Sequence, residues 1–263
     1  MPASEDVNLY ARVARGYRAP AVQGRVLFGR ELSVADSETT MSYEAGIKSI
    51  LADGKVRLNL GGYYFTTEDL QLTAVGGANN FTTLLNAEEV KGFGFEAELQ
   101  ARPIEGVEFA AGLSYNDTEI NDPAAFVAGC GAPCTVLDPE RTPGSNIFSI
   151  DGNRLPQAPK WTANWSLGLT EDIPGMGGEI YLFTDWAYRS KVQFFLYQSV
   201  EFSDDSMLEG GLRIGYRTDR YDLALFGRNI TNDVSAVSGI DFNNLTAMVN
   251  EPRIYGIELG ITF

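Results

Sequence analysis

Few residues of this sequence have the types and spacing that chemistry requires. The sequence has no histidine, which removes the usual general base, the commonest metal ligand and any Ser-His-Asp or Cys-His arrangement. Its two cysteines, Cys130 and Cys134, flank a Gly-Ala-Pro segment, and two thiols alone cannot complete a structural zinc site. In an oxidising compartment this spacing favours a small local disulfide. The alternative is a pair of reduced thiols in a cytosolic chain.

Acidic residues could supply the oxygen ligands that calcium prefers. The candidates lie in segments without regular alternation, and they are Glu119, Asp122, Asp138, Asp204 and Asp205. Their spacing matches no calcium-loop motif, so solvated acidic loops are the favoured interpretation. The sequence therefore predicts no catalytic residue, no metal site and no cofactor.

Charge and hydropathy exclude further classes of protein. A net charge of −15 and a pI near 4.4 argue against nucleic-acid binding, which needs a basic face. No stretch approaches the roughly 18 apolar residues of a transmembrane helix. Residues 1–6 show neither the basic region nor the apolar core of a signal peptide. If the protein is exported, we expect the sequence to lack its natural beginning.

The dominant pattern is alternation of apolar and polar residues with a period of two, which predicts β-strands. In residues 107–115, for example, Val107, Phe109 and Ala111 alternate with Glu108, Ala110 and Gly112. About ten strands are predicted, near residues 7–17, 42–51, 56–66, 89–101, 107–118, 160–171, 179–189, 206–217, 221–230 and 253–263. Several are long enough for the roughly 9–11 residues that a tilted strand needs to cross a bilayer.

The connections between these strands are alternately short and long. The short ones lie near residues 52–55, 102–106, 172–178 and 218–220, and the long ones near residues 18–41, 67–88, 119–159, 190–205 and 231–252. Short periplasmic turns and long extracellular loops are typical of an outer-membrane barrel. Because the last strand follows a long connection, it is predicted to end at the periplasmic side.

One face of the predicted strands is polar and would line the barrel interior. Its residues are Glu44, Lys48, Arg57, Asn59, Glu96, Glu98, Glu108, Asn116, Arg213 and Arg228. A basic residue at the bilayer midplane on the lipid face would cost about 2–4 kcal/mol, and such charges are nearly absent from the apolar faces. The fold class predicted is an all-β antiparallel transmembrane barrel.

Several segments resemble the C-terminal part of TonB-dependent receptors, in the order that this family shows them. Residues 8–20 resemble its strand ending in Gly-aromatic-basic-small-Pro, residues 43–48 its Tyr-Glu-x-Gly-x-Lys strand, and residues 90–96 the following Gly-x-x-x-Glu strand. Residues 229–232 resemble the Asn-Leu-Thr-Asp end of its penultimate strand. The C-terminus is similar to the signal that the barrel assembly machinery reads, carried by Tyr255, Ile257, Leu259, Ile261 and Phe263.

The resemblance implies a single domain over residues 1–263, made of about ten C-terminal strands of a 22-stranded barrel. No plug domain and no TonB-box segment is visible, so a fragment or partial reading of a longer receptor is expected. Implied partners are the energising TonB-ExbB-ExbD complex (through the plug), the barrel assembly machinery, outer-membrane lipid and an extracellular nutrient. The implied location is the outer membrane of a Gram-negative bacterium.

By the same resemblance, the function is energised uptake of a scarce nutrient, with a ferric siderophore as the first candidate. Arginine suits anionic chelates because it is always charged and presents a planar fork. The candidate ligand-binding residues are Arg18, Arg25, Phe28, Arg30, Arg141, Arg154 and Trp186. Contacts of these residues with other loops or with a plug are the alternative. Two other protein classes stay open at this point: a stand-alone ten-stranded pore and a soluble β-sandwich binding module.

Overall fold

The computed structural model describes residues 2–4, 6–24, 32–76, 81–241 and 244–263, and these form β-strands, turns and loops. None of these residues belongs to a helix long and apolar enough to cross a membrane. The strands, in chain order, are β1 (Pro2–Ser4), β2 (Val7–Arg18), β3 (Ala21–Val22), β4 (Val34–Ala35), β5 (Glu38–Leu51), β6 (Val56–Gly76), β7 (Phe81–Ala101), β8 (Val107–Asn121), β9 (Phe126–Ala128), β10 (Ile147–Ser149), β11 (Trp161–Ile173), β12 (Gly178–Arg189), β13 (Val192–Gln193), β14 (Ser203–Asp204), β15 (Met207–Arg217), β16 (Tyr221–Arg228), β17 (Ala236–Asp241), β18 (Leu245–Val249) and β19 (Ile254–Ile261).

Eleven of these strands form one antiparallel sheet, the main sheet, in the order β1-β2-β5-β6-β7-β8-β11-β12-β15-β16-β19. Its ten longer strands correspond to the ten segments predicted from alternation, and its short connections lie where they were predicted. In the part of the chain that the structure describes, no ladder joins β1 to β19. The ten long strands form one sheet and not two packed ones, so the β-sandwich alternative is wrong.

The ladder separates a polar and an apolar face, because residues paired directly across two strands point to the same side. One continuous row crosses seven strands of the main sheet: Lys48, Asn59, Glu98, Gly112, Asn164, Ala187 and Glu209. The neighbouring row, one residue along each strand, is Ile47, Leu60, Ala97, Leu113, Ala163, Tyr188 and Leu208. The predicted assignment of polar residues to one face is confirmed.

The apolar face is exposed over large areas. Leu225 is 61% and Ile257 72% exposed, although both belong to long strands of the main sheet. A water-soluble protein would bury such a surface, whereas a membrane protein exposes it to lipid.

The prediction of a loop at residues 67–88 was wrong. Strands β6 and β7 continue far beyond the predicted strand ends, to Gly76 and from Phe81, as a protruding hairpin. The ladder is interrupted only at Asp69 and Glu88, where Asp69 has a φ of 55°. Leu70, Leu72 and Leu85 then pack against the neighbouring loops. This burial stabilises the extra strand length, and it depends on segments distant in sequence, so local alternation could not reveal it.

Candidate ligand-binding roof and inner wall

The long connections meet at one end of the main sheet and form a layer that we call the roof. It consists of the described residues of 67–88, 119–159, 190–205 and 231–252. Its hydrophobic core combines Leu72 and Ala87 of the β6–β7 hairpin with residues of the two next connections. The largest fully buried side chains there are Ile120, Ile150, Tyr197 and Phe202. The main hydrophobic core of the described chain therefore lies in the roof.

The roof leans over the polar face of the main sheet. On the polar face, Val90 is paired with Thr67 on one side and with Ile120 on the other, and Val90 and Ile120 are fully buried. The amide of Leu155 donates a hydrogen bond of 3.1 Å to the hydroxyl of Thr118, which lies on the same face. The connection 119–159 thus folds back onto the inner wall of the sheet.

Asp241, at the end of β17, joins three roof segments. Its Oδ1 accepts a hydrogen bond of 2.8 Å from the amide of Gly131, and its Oδ2 accepts one of 2.8 Å from the hydroxyl of Tyr197. Asp241 and Tyr197 are each only 1% exposed. Burial raises the pKa of the Asp241 carboxyl, although the hydrogen bonds from Gly131 and Tyr197 act in the opposite direction. The pKa of Tyr197 is also raised, mainly by burial and secondly by its hydrogen bond to Asp241.

Asp138 forms a second junction between connections 119–159 and 190–205. Its carboxylate accepts a hydrogen bond of 2.6 Å from the amide of Gln198 and one of 3.0 Å from the side-chain amide of Asn153. Asn153 also donates to the carbonyl of Leu196 at 3.0 Å. Burial raises the pKa of Asp138.

Three of the five acids considered for calcium have protein partners. Asp122 accepts hydrogen bonds from the amides of Glu88 and Ala124, and Asp204 pairs with Arg189 at 2.7 Å. The described residues contain no group of three or more acids or cysteines arranged to hold a metal ion. Asp122, Asp138 and Asp204 therefore connect parts of the roof, whereas Asp205 is exposed.

The described arginines predicted to bind ligand differ in their surroundings. Arg18 is exposed, with Glu38 at 3.8 Å. Arg141 is exposed at the roof surface, its guanidinium 5.0 Å from the centre of the Phe126 ring. Arg154 is held by the Asp117 carboxylate at 3.1 Å and the carbonyl of Asn116 at 2.6 Å. The other candidates of the first connection, Arg25, Phe28 and Arg30, lie outside the described residues.

Trp186 lies on the apolar face and not on the inner wall. It is paired with Trp165, and the two rings are stacked with centroids 5.9 Å apart and an interplanar angle of 7°. Its indole N–H donates to the hydroxyl of Thr184 at 2.8 Å. Alternation places the neighbouring Asp185 on the polar face, so this position presents the tryptophan to the membrane side.

The structure joins Cys130 and Cys134 in a disulfide with a Cα–Cα distance of 6.1 Å. Cys130 is buried in the roof core, and the ring that the bridge closes contains Gly131. The disulfide therefore lies directly beside the amide that donates to Asp241.

A charged network on the inner wall, nearer the short turns, was not predicted. The guanidinium of Arg213 contacts Glu258, Asp222 and the hydroxyl of Tyr181, and that hydroxyl donates to Asp222 at 2.7 Å. Arg217 beside it pairs with Glu179. Only the placement of these residues on the polar face could be read from the sequence, because their pairing depends on the register of four strands. The inner wall of the main sheet borders an open concavity of about 990 Å³.

Four of the five residues of the predicted assembly signal lie on the last strand, and Phe263 follows it. Tyr255, Ile257, Leu259 and Ile261 all point to the apolar face, paired with Gly227, Leu225, Leu223 and Tyr221 of β16. Each of the four is at least 49% exposed. Recognition of these residues by the barrel assembly machinery stays a prediction.

Comparison with known proteins agrees with this architecture. Residues 3–206 match the family described as "TonB dependent receptor-like, beta-barrel". Barrels of this family are outer-membrane receptors and transporters and not enzymes.

Solved structures share the fold. The ferric yersiniabactin uptake receptor FyuA from Yersinia pestis matches with a TM-score of 0.76 and 19% identity, over 100% of this chain and 36% of that one. The siderophore receptor PiuA from Acinetobacter baumannii gives 0.68 and 19%, over 99% and 34%. The copper transporter OprC gives 0.66 and 15%, over 100% and 38%. The chain thus spans little more than a third of the length of these proteins. With its eleven-stranded antiparallel sheet, polar inner wall and exposed apolar face, the chain belongs to the TonB-dependent receptor family and corresponds to a C-terminal part of its β-barrel.

Proposed function

We propose that this chain forms the C-terminal part of the barrel, about ten strands, of a TonB-dependent receptor that imports a scarce nutrient across the outer membrane. The observation that carries the proposal is the two-faced sheet. A row of polar and small residues from Lys48 to Glu209 lines one side, and exposed aliphatic residues such as Leu225 and Ile257 cover the other. A barrel wall with lipid outside and a water-filled or plugged interior has this distribution.

The proposal includes a single barrel domain over residues 1–263 and a multi-pass location in the outer membrane of a Gram-negative bacterium. Its partners would be the TonB-ExbB-ExbD complex, reached through a plug region, together with the barrel assembly machinery, lipid and the extracellular ligand. The roof would face the extracellular medium, because it is formed by the long connections.

A ferric siderophore is the proposed ligand class. By their descriptions, PiuA is a siderophore receptor and FyuA a ferric yersiniabactin uptake receptor. Arg141 on the roof offers an exposed guanidinium for an anionic chelate. Copper is the second candidate, because OprC is a copper transporter by its description. Arg18, Arg25, Phe28, Arg30 and Arg154 remain proposed contacts. Trp186, the further contact predicted from the sequence, lies on the apolar face, and this position favours a role in membrane anchoring over ligand binding.

Uptake by cells that carry or lack the gene encoding this chain would test the proposal. We expect one ⁵⁵Fe-siderophore from a panel of catecholate, hydroxamate and mixed-ligand compounds to accumulate only in the carrying strain, and accumulation to stop in a tonB mutant. Accumulation of ⁶⁴Cu alone would replace the siderophore by copper. Accumulation of small solutes that is unaffected by the tonB mutation would overturn energised uptake and favour a pore.

A further inference from the structure

The roof segments are connected by polar contacts as well as by their shared apolar core. The carboxylate of Asp241 uses both oxygen atoms, one for Gly131 of connection 119–159 and one for Tyr197 of connection 190–205. The β6–β7 hairpin reaches the same place. A Cβ added to Gly76 would lie 3.3 Å from Oδ2 of Asp241 and 2.7 Å from the carbonyl oxygens of Ala128 and Gly129.

A second contact fixes the same β17–β18 hairpin. Asp204 accepts a hydrogen bond of 3.0 Å from the amide of Ala236, and Arg189 donates to both Asp204 and the Ala236 carbonyl at 2.7 and 2.6 Å. Between these points, Gly239 lies against the rings of Phe202 and Phe195, since an added Cβ would be 2.8 and 3.3 Å from them. The hairpin is therefore attached to connection 190–205 along its length.

Separating any one of these segments is costly. If connection 190–205 moved alone, the Tyr197 hydroxyl and one Asp241 oxygen would lose their partners within an apolar layer, and buried polar groups without partners are unfavourable. If connection 119–159 moved alone, the other Asp241 oxygen would lose the Gly131 amide. Asp138 would lose the Gln198 amide, and the side-chain amide of Asn153 would lose the Leu196 carbonyl. Movement of the segments together keeps these hydrogen bonds.

We propose that the roof opens and closes as one cooperative unit, with the buried carboxylate of Asp241 as the latch that couples its segments. Cooperative opening of contiguous regions is a general property of folded proteins. The inference rests on the proposed function only for the identity of the ligand that the roof would admit. Its geometric basis is independent of any ligand.

Hydrogen–deuterium exchange of the purified protein in detergent, without ligand, tests the latch. We expect peptides covering 124–136, 192–204 and 236–241 to show a common opening rate in the native protein. Asp241→Ala should accelerate exchange in all three about tenfold, because a donor is left unsatisfied at each of two contacts. Peptides of the main sheet, such as 107–115, should not change.

Asp205→Ala is the matched control, because Asp205 lies in the same layer but its side chain is exposed, and it should leave all rates unchanged. Tyr197→Phe removes only the hydroxyl group, and it is the second test variant if the Asp241→Ala protein does not assemble. It should accelerate exchange in 124–136 as well as in 192–204. Acceleration confined to the peptide that carries each substitution would show independent loops and overturn the proposal. Failure of ligand uptake would not affect these readings.

Discussion

The indole ring of Trp186 lies parallel to that of Trp165, directly across the β11–β12 ladder and on the apolar face of the main sheet. Both rings lie towards the loop end of their strands, where Phe95, Tyr115 and Trp161 form a further aromatic group with centroids 4.7–6.1 Å apart. Amphipathic rings in such positions favour the membrane interface. Trp186 is therefore placed to anchor the barrel in the membrane.

Trp186→Ala is expected to lower barrel stability and to leave ligand affinity within about twofold. Loss of a stacked aromatic pair costs about 0.5–1.5 kcal/mol beyond the buried area. The temperature at which the heat-modifiable band unfolds on a gel measures this effect. Trp165→Ala should lower it similarly, and the double variant should lower it by less than the sum of the two single changes. A large loss of affinity in Trp186→Ala would instead return this residue to the ligand site.

Substitutions of Arg141 and Arg154 should have different effects, the first on ligand affinity and the second on the stability of the roof. Arg141 is exposed with one ring contact, so Arg141→Ala should weaken binding of an anionic chelate about tenfold without changing roof protection. Arg154 is held by Asp117 and the Asn116 carbonyl, so Arg154→Ala should loosen the roof first. Equilibrium titration with the ferric chelate and hydrogen exchange of peptide 150–158 measure the two effects. The opposite assignment of effects would contradict this division.

Above the pH at which the exposed carboxyls of Glu140 and Glu201 ionise, the roof should become less stable as the pH rises. Backbone hydrogen bonds lower the pKa of those two groups, so they change roof stability only at lower pH. Burial raises the pKa of Asp138 and of Asp241 in the folded state. For an acid shifted in this direction, the stabilising contribution is fully present below the unfolded pKa of about 3.9 and is lost as the pH rises through the raised folded value. Tyr197, in contact with Asp241, stays protonated because its pKa is raised too.

The dependence of roof stability on pH can be measured by hydrogen exchange in peptide 192–204, corrected for the intrinsic pH dependence of exchange. Its slope is the change of stability per pH unit. Asp241→Asn should reduce the slope, because asparagine does not titrate, and Asp138→Asn combined with Asp241→Asn should remove it. A slope that persists in the double variant would assign the pH dependence to other groups.

The disulfide should stabilise the roof modestly. The bridge closes a ring of five residues, for which the loss of chain entropy in the open state corresponds to about 2 kcal/mol. Replacement of Cys130 and Cys134 by serine should therefore accelerate exchange in peptide 124–136, and through Gly131 also in 192–204. Alkylation followed by mass spectrometry of non-reduced peptides checks the bridge itself. Free thiols in protein isolated from membranes would contradict it.

Gly94 and Gly62 form a matched pair within adjoining strands. A Cβ at Gly94 would collide with the carbonyl oxygen of Tyr115 and lie 2.6 Å from the Tyr63 hydroxyl, whereas a Cβ at Gly62 meets its nearest atom at 3.8 Å. Gly94→Ala should destabilise the barrel by about 1–3 kcal/mol, the usual cost of overpacking. Gly62→Ala should change stability much less. The urea midpoint of unfolding in detergent measures both, and equal effects would contradict the predicted collision.

Many features of the fold could be predicted because they depend on local periodicity. A strand that separates lipid from water must alternate polar and apolar residues along its whole length. The sequence by itself therefore showed the ten long strands, the placement of Lys48 on the polar face and Ile47 on the apolar face, and the alternation of short and long connections. The family resemblance could also be seen locally, in short segments such as 43–48. The extension of the β6–β7 ladder beyond residue 66 could not be predicted from the sequence, because this hairpin is stabilised by loops that are distant in sequence.

The roof and its junctions were decided by tertiary structure alone. Asp241 looks like any loop acid in the sequence, and its role follows from Gly131 and Tyr197, which lie 110 and 44 residues away. Arg154 and Arg141 are equivalent by residue type, yet only one is held by a carboxylate. Burial and pairing depend on which segments meet in space, and irregular loops have no period from which those meetings can be read. The sequence thus determined the barrel wall, and the tertiary structure determined what lies over it.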